Sequence, residues 1–140
     1  MLLFRAGAHL CAIPIAEVVE IMRPLPLERL AAQPHFLLGL SVIRGASVPV
    51  VDAGTLLGGE VAPPRRFLRL RIGARSVALA VDAVVGVRSL TARALGALPP
   101  LLGEAGRELI AALGAADGEF LLVLQTARLA ADIGDASAHA

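Results

Sequence analysis

Short apolar runs rich in Val, Ile and Leu, cut by Gly, Pro and Asp, recur along the whole chain. Runs of this kind fit strands better than helices carrying a one-sided apolar stripe. They predict ten strands: Leu2 to Ala6, Leu10 to Ile13, Val18 to Met22, Leu37 to Ile43, Ser47 to Val51, Phe67 to Ile72, Ser76 to Val81, Val84 to Ser89, Leu109 to Leu113 and Glu119 to Leu124. Phe67 to Ile72 differs from the rest. There Arg69 and Arg71 alternate with Leu68, Leu70 and Ile72, so a solvated basic outer face is expected, extended by Arg65, Arg66 and Arg75. Pro63-Pro64 and Pro99-Pro100 mark rigid breaks. Helical turns are expected at Thr55 to Leu57 and, with Thr126 as N-cap, at Ala127 to Ile133.

The pattern repeats. With Gly7 placed on Gly73, Ala8, Ala12, Val18 and Val19 fall on Ala74, Ala78, Val84 and Val85. A second, longer register sets Gly45 on Gly118 and Val48-Pro49-Val50-Val51 on Leu121-Leu122-Val123-Leu124. The chain therefore reads as a tandem of two five-stranded units, approximately 1–64 and 65–140. So few strands cannot bury both faces alone. Each unit is expected to curl into a small barrel and pack on its twin.

Composition narrows the function. Apolar residues make up 56% and mean hydropathy is +0.74, but charges such as Arg44, Asp82, Arg88 and Asp117 break every run well before the roughly 18 residues that span a bilayer. No basic segment followed by a long apolar run opens the sequence, and a cytoplasmic location is expected, with Cys11 as the single cysteine. A net charge of +1 favours neither nucleic acid nor an acidic membrane. Trp and Tyr are absent, so base-stacking platforms are missing too.

Enzyme signatures fare poorly. Gly39-Leu-Ser-Val-Ile begins like a nucleophile elbow, but Ile43 stands where the second glycine must be, so Ser41 reads as a strand serine. His9, His35 and His139 are scattered and have no cysteine pair near them, unlike a metal site. Asp52-Ala-Gly-Thr invites comparison with the aspartic-protease element, yet Ala53 removes the hydroxyl that orients the aspartate. A dimeric aspartic hydrolase using Asp52 is kept as the remote alternative. Asp52 as a turn or capping residue before Thr55 is the better reading.

Exposed charges beside apolar strands suit a protein partner instead. Pro14 and Pro24 bracket Val18 to Met22, whose strand alternation would set Val18, Glu20 and Met22 on one face and Val19 and Ile21 on the other. Arg44 is expected on a tight turn between two buried strands. Glu20 pairs with it if those strands are neighbours.

Three ordered motifs carry a resemblance over almost the whole length. They are Leu10-Cys-Ala-Ile-Pro-Ile-Ala-Glu-Val-Val-Glu-Ile-Met, then Phe36-Leu-Leu-Gly-Leu-Ser-Val-Ile-Arg-Gly-Ala-Ser-Val-Pro-Val-Val-Asp, and Gly73-Ala-Arg-Ser-Val-Ala-Leu-Ala-Val-Asp-Ala-Val-Val-Gly-Val. Together they resemble the CheW-type chemotaxis coupling proteins. The resemblance implies an all-β fold of two five-stranded SH3-like barrels on a shared core, no catalysis and no cofactor. It also implies an adaptor joining the cytoplasmic tip of a chemoreceptor to the regulatory domain of a CheA-type histidine kinase, associated with membrane-bound receptor arrays. Positions matching the receptor site are Val18, Glu20, Arg44 and Gly45; the kinase-docking residues are not assigned. Val42 replaces the asparagine of the family's Asn-Leu-Arg-Gly turn, Ala112 stands where the second unit often has glycine, and Gln125 replaces a late aspartate. These departures fit a divergent array controlling type IV pili or another output as the alternative.

Overall fold

A computed structural model describes residues 1–31, 33–60, 62–89, 110–116 and 118–129. Its strands are β1 (Leu2–Ala6), β2 (His9–Ile13), β3 (Val18–Met22), β4 (Leu37–Ile43), β5 (Ala46–Asp52), β6 (Arg66–Ile72), β7 (Arg75–Val81), β8 (Ala83–Val87), β9 (Ile110–Ala116) and β10 (Glu119–Leu124). Each strand expected from the sequence is present, with ends shifted by a few residues at most. A 3-10 turn, Ile15–Glu17, precedes β3, and a helix, α1, runs over Ala53–Leu56, slightly earlier than expected. Near the C-terminus the helical turn covers 126–129, so Thr126 lies within it; the Leu129 N–H bonds the Gln125 carbonyl. The rest of that expected helix, Pro99-Pro100, Asp117 and His139 lie outside the described residues.

The ten strands form two five-stranded sheets, ordered β8-β1-β2-β10-β9 and β3-β6-β7-β5-β4. The repeat maps one order onto the other strand for strand. Equivalent hairpin glycines adopt equal conformations, φ 60° at Gly7 and 62° at Gly73, and 80° at Gly45 and 79° at Gly118. Each sheet also contains one parallel pair in the same relative register, Val123 against Ala12 and Val50 against Ala78. Sheet membership nevertheless corrects the division into contiguous halves 1–64 and 65–140. The first sheet takes β1 and β2 from one end of the chain and β8, β9 and β10 from the other, whereas β6 and β7 complete the second sheet. Parallel neighbours cannot be joined by a tight hairpin, so each parallel pair recruits a strand from a distant part of the chain.

Most strands read as continuous apolar runs because both of their faces are buried. Leu2, Phe4, Cys11, Ile13, Leu68, Leu70, Leu79 and Leu122 meet between the sheets in one shared core. The alternate residues fill two smaller clusters, Leu3, Leu10, Ala12 and Leu121 in the first sheet and Ile43, Val48, Val50, Phe67 and Ala78 in the second. In the second sheet the chain after β3 returns along the opposite edge strand. The Glu28 and Leu40 backbones exchange hydrogen bonds of 2.7 and 2.8 Å, and the Ser41 hydroxyl donates to the Pro26 carbonyl at 3.0 Å. That return closes the sheet into a barrel and removes an open edge. Gly39 makes it possible: with φ 140°, any Cβ there would collide with the Glu28 carbonyl and approach Arg29 Cα to 3.3 Å.

Candidate functional site

The β4–β5 hairpin has a two-residue loop, Arg44-Gly45, closed by Ile43 opposite Ala46. Both loop residues have positive φ, 54° and 80°, the geometry whose twist matches that of the flanking strands. Glycine adopts it freely. Arginine does not, and Arg44 is the sole non-glycine residue with positive φ among the described residues. A strained position kept by a long charged side chain marks a candidate site. Strands on both sides, with Ile43 and Val48 buried in the barrel, hold the turn in place.

Across the barrel mouth lies β3. Its register places Val18 opposite Leu70, Glu20 opposite Arg69, Ile21 opposite Leu68 and Met22 opposite Phe67, with a bulge between Val18 and Glu20. A bulge inserts a residue and changes which face follows it. The alternation expected from the sequence holds in exposure, with Val18, Glu20 and Met22 partly buried and Val19 and Ile21 exposed, but the bulge divides the partly buried residues between two clusters. Val18 packs on the shared core between the sheets, whereas Met22 packs on the interior of the second barrel. The exposed apolar residues of this strand are Val19 and Ile21, at 50% and 47% exposure. Val42, on β4 beside the turn, is 67% exposed.

Arg44 Nη2 meets Glu20 Oε2 at 2.5 Å. The expected pair exists, but for a different reason: β3 and β4 are opposite edges of the sheet, not neighbours, and barrel curvature brings them together. The Arg44 hydrogen bond is the main influence holding the Glu20 carboxyl below its ordinary value of 4.5; partial burial opposes it, and the charges of Arg44 and Arg69 add to it. Reciprocally, that hydrogen bond raises Arg44. Thus Glu20, Arg44 and Gly45 share one rim of the second barrel, and Val18 lies in the same strand as Glu20 but turned toward the shared core.

Arg69 is the residue that sequence patterning misplaced. Strict alternation sent it to solvent with Arg71, and Arg71 is indeed exposed, but Arg69 is only partly so and faces Glu20 across the ladder. Phe67, on the same face of β6, is fully buried. The available signal was Phe67 itself: an aromatic in step with Arg69 and Arg71 argues against a wholly wet face.

Other sequence candidates settle into structural roles. Asp52 is buried at the N-cap position of α1 and accepts a hydrogen bond from the Thr55 hydroxyl, with its backbone N–H bonded to the Phe36 carbonyl at 2.8 Å. Ser41 is buried in the strand and committed to Pro26. Among the described residues no three His, Cys, Asp or Glu side chains gather as a metal site requires. Cys11 is buried in the shared core, and burial pushes its thiol up to about 12. A thiol so seldom ionised is a poor nucleophile. Cys11 should therefore remain unmodified by iodoacetamide at pH 8 in the folded protein and react fully in denaturant, as read by mass spectrometry; prompt native labelling would contradict this packing.

Comparison with known proteins decides the family. Residues 1–134 match the CheW-like domain. The chain belongs to the CheW-like family. It is 32% identical over 126 residues to chemotaxis protein CheW of Klebsiella aerogenes, covering 88% of this chain and 75% of that one. Protein FrzA of Myxococcus xanthus is 30% identical over 136 residues, with coverage of 89% and 84%. The crystal structure of scaffolding protein TtCheW from Thermoanaerobacter tengcongensis superimposes with a TM-score of 0.74 at 20% identity, over 89% of this chain and 86% of that chain, and so shares the fold. CheW-like proteins are non-catalytic scaffolds or adaptors of chemotaxis signalling, and this chain is one of them. The hydrolase alternative built on Asp52 is thereby corrected: a CheW-like adaptor has no use for a catalytic dyad, and here that carboxylate is buried and accepts the Thr55 hydroxyl at the start of α1. No helix among the described residues is long and apolar enough to cross a membrane.

Proposed function

We propose that this CheW-like chain couples the cytoplasmic tip of a chemoreceptor to the regulatory domain of a CheA-type histidine kinase. The reading is carried by one observation: Glu20 and Arg44, far apart in sequence and both assigned to the receptor site by resemblance, form an ion pair on one barrel rim. The receptor's helical hairpin lays apolar residues against the exposed Val19 and Ile21 and the accessible part of the half-buried Val18. Arg44 and Glu20 fix its register, since charges beside an apolar patch choose orientation more than they add affinity. Gly45 keeps the turn tight enough to present Arg44. The adaptor then sits in the cytoplasm at membrane-bound receptor arrays, with no segment inserted in the bilayer.

Near-equal identity to CheW and to FrzA favours a chemosensory array in the general sense over one fixed output. The test is co-purification of the chain with a receptor tip and, separately, with the kinase regulatory domain. Arg44→Ala should weaken tip capture roughly tenfold and leave the fold intact by circular dichroism. Equal capture by wild type and variant would remove Arg44 from the site; absence of both partners from the wild-type eluate would end the adaptor reading.

A further inference from the structure

Among the described residues, three buried side-chain atoms have no hydrogen-bond partner: Glu17 Oε2, Glu20 Oε1 and Arg69 Nε. Two of them belong to residues directly opposed across the β3–β6 ladder. Residues so placed have Cβ atoms about 4.5–5.5 Å apart, so a rotamer change suffices to join a carboxylate to a guanidinium. Glu20 thus stands between two arginines. The outer one, Arg44, is bonded to it yet 70% exposed on a strained turn; the inner one, Arg69, is close but unbonded.

This arrangement has a purpose if Arg44 must leave. A partner's acidic group that recruits Arg44 would otherwise strand Glu20, whose side chain is only 22% exposed, as an unpaired half-buried charge. We propose that Arg69 is a positioning residue that takes the Glu20 carboxylate when an acidic side chain of the docked partner draws Arg44 away. Arg44 is then an exchangeable cation selecting partners with a carboxylate at that place. The inference rests on the receptor reading above and names the partner chemistry it requires. Glu17, in the 3-10 turn packed against β6, is the competing acceptor for Arg69.

The experiment removes Arg44 without any partner and follows the Glu20 side-chain carboxyl by NMR as pH is lowered. In Arg44→Ala, Arg69 should keep Glu20 titrating below 4.5, its ordinary value. In Arg44→Ala/Arg69→Met the midpoint should move upward, and in Arg44→Ala/Arg69→Lys, which keeps a cation, it should stay low. Identical titration of the Ala and Ala/Met proteins, or an Arg44→Ala structure with Arg69 bonded to Glu17, overturns the hand-over. Arg69→Met alone should weaken receptor-tip capture about fivefold; capture equal to wild type also overturns it. If the wild-type chain captures no tip at all, the receptor reading falls, and unequal titration of the variants still establishes Arg69 as the second partner of Glu20.

Discussion

Gly39→Ala should destabilise the protein by about 3 kcal/mol, more than a positive φ alone explains. An alanine at positive φ costs about 1–2 kcal/mol, and at Gly58, with φ 89° and open space around it, that is the whole expected effect. At Gly39 the new methyl must also displace the Glu28 backbone, which exchanges two hydrogen bonds with Leu40. Loss of that contact opens the seam that closes the second barrel. Urea unfolding of both variants makes the comparison. If Gly58→Ala costs as much as Gly39→Ala, the close approach of the chain after β3 contributes nothing.

Glu20→Arg is expected to reduce receptor-tip binding on the order of a hundredfold. It places a third guanidinium between Arg44 and Arg69, replacing two attractions with two repulsions, and drives the Arg44 turn away from the rim. The double swap Glu20→Arg/Arg44→Glu separates structure from recognition. It restores an ion pair across the barrel mouth but puts the cation on β3 instead of the turn. Binding should stay lost in the swap even where the folding midpoint recovers; recovery of binding would mean that the ion pair matters only as a clasp.

Much of the fold was legible because local signals agreed with one another. Strand ends followed Gly, Pro and Asp, and the two repeat registers located the hairpin turns at Gly7, Gly45, Gly73 and Gly118, all with positive φ. Pairing between strands was not legible. Nothing local tells β2 that its parallel neighbour is β10, since both faces of each strand are apolar and register is set by distant contacts. The site was half visible for the same reason. Arg44 and Glu20 announced themselves as charges among apolar residues, whereas the bulge after Val18 and the inward turn of Arg69 depend on a partner strand more than forty residues away in sequence.

The order in which the barrels come into being is written in their membership. Every strand of the second sheet lies between Val18 and Val81, so its barrel can be complete while the chain is still being synthesised. The β1–β2 hairpin emerges from the ribosome earlier but finds its neighbours last, because β8, β9 and β10 follow that entire barrel. Until then Leu2, Phe4 and Ile13 have only the finished barrel's outward-facing Leu68, Leu70 and Leu79 to cover them. The second barrel can thus cover the hairpin's apolar face on the nascent chain while its two strand edges still await β8 and β10.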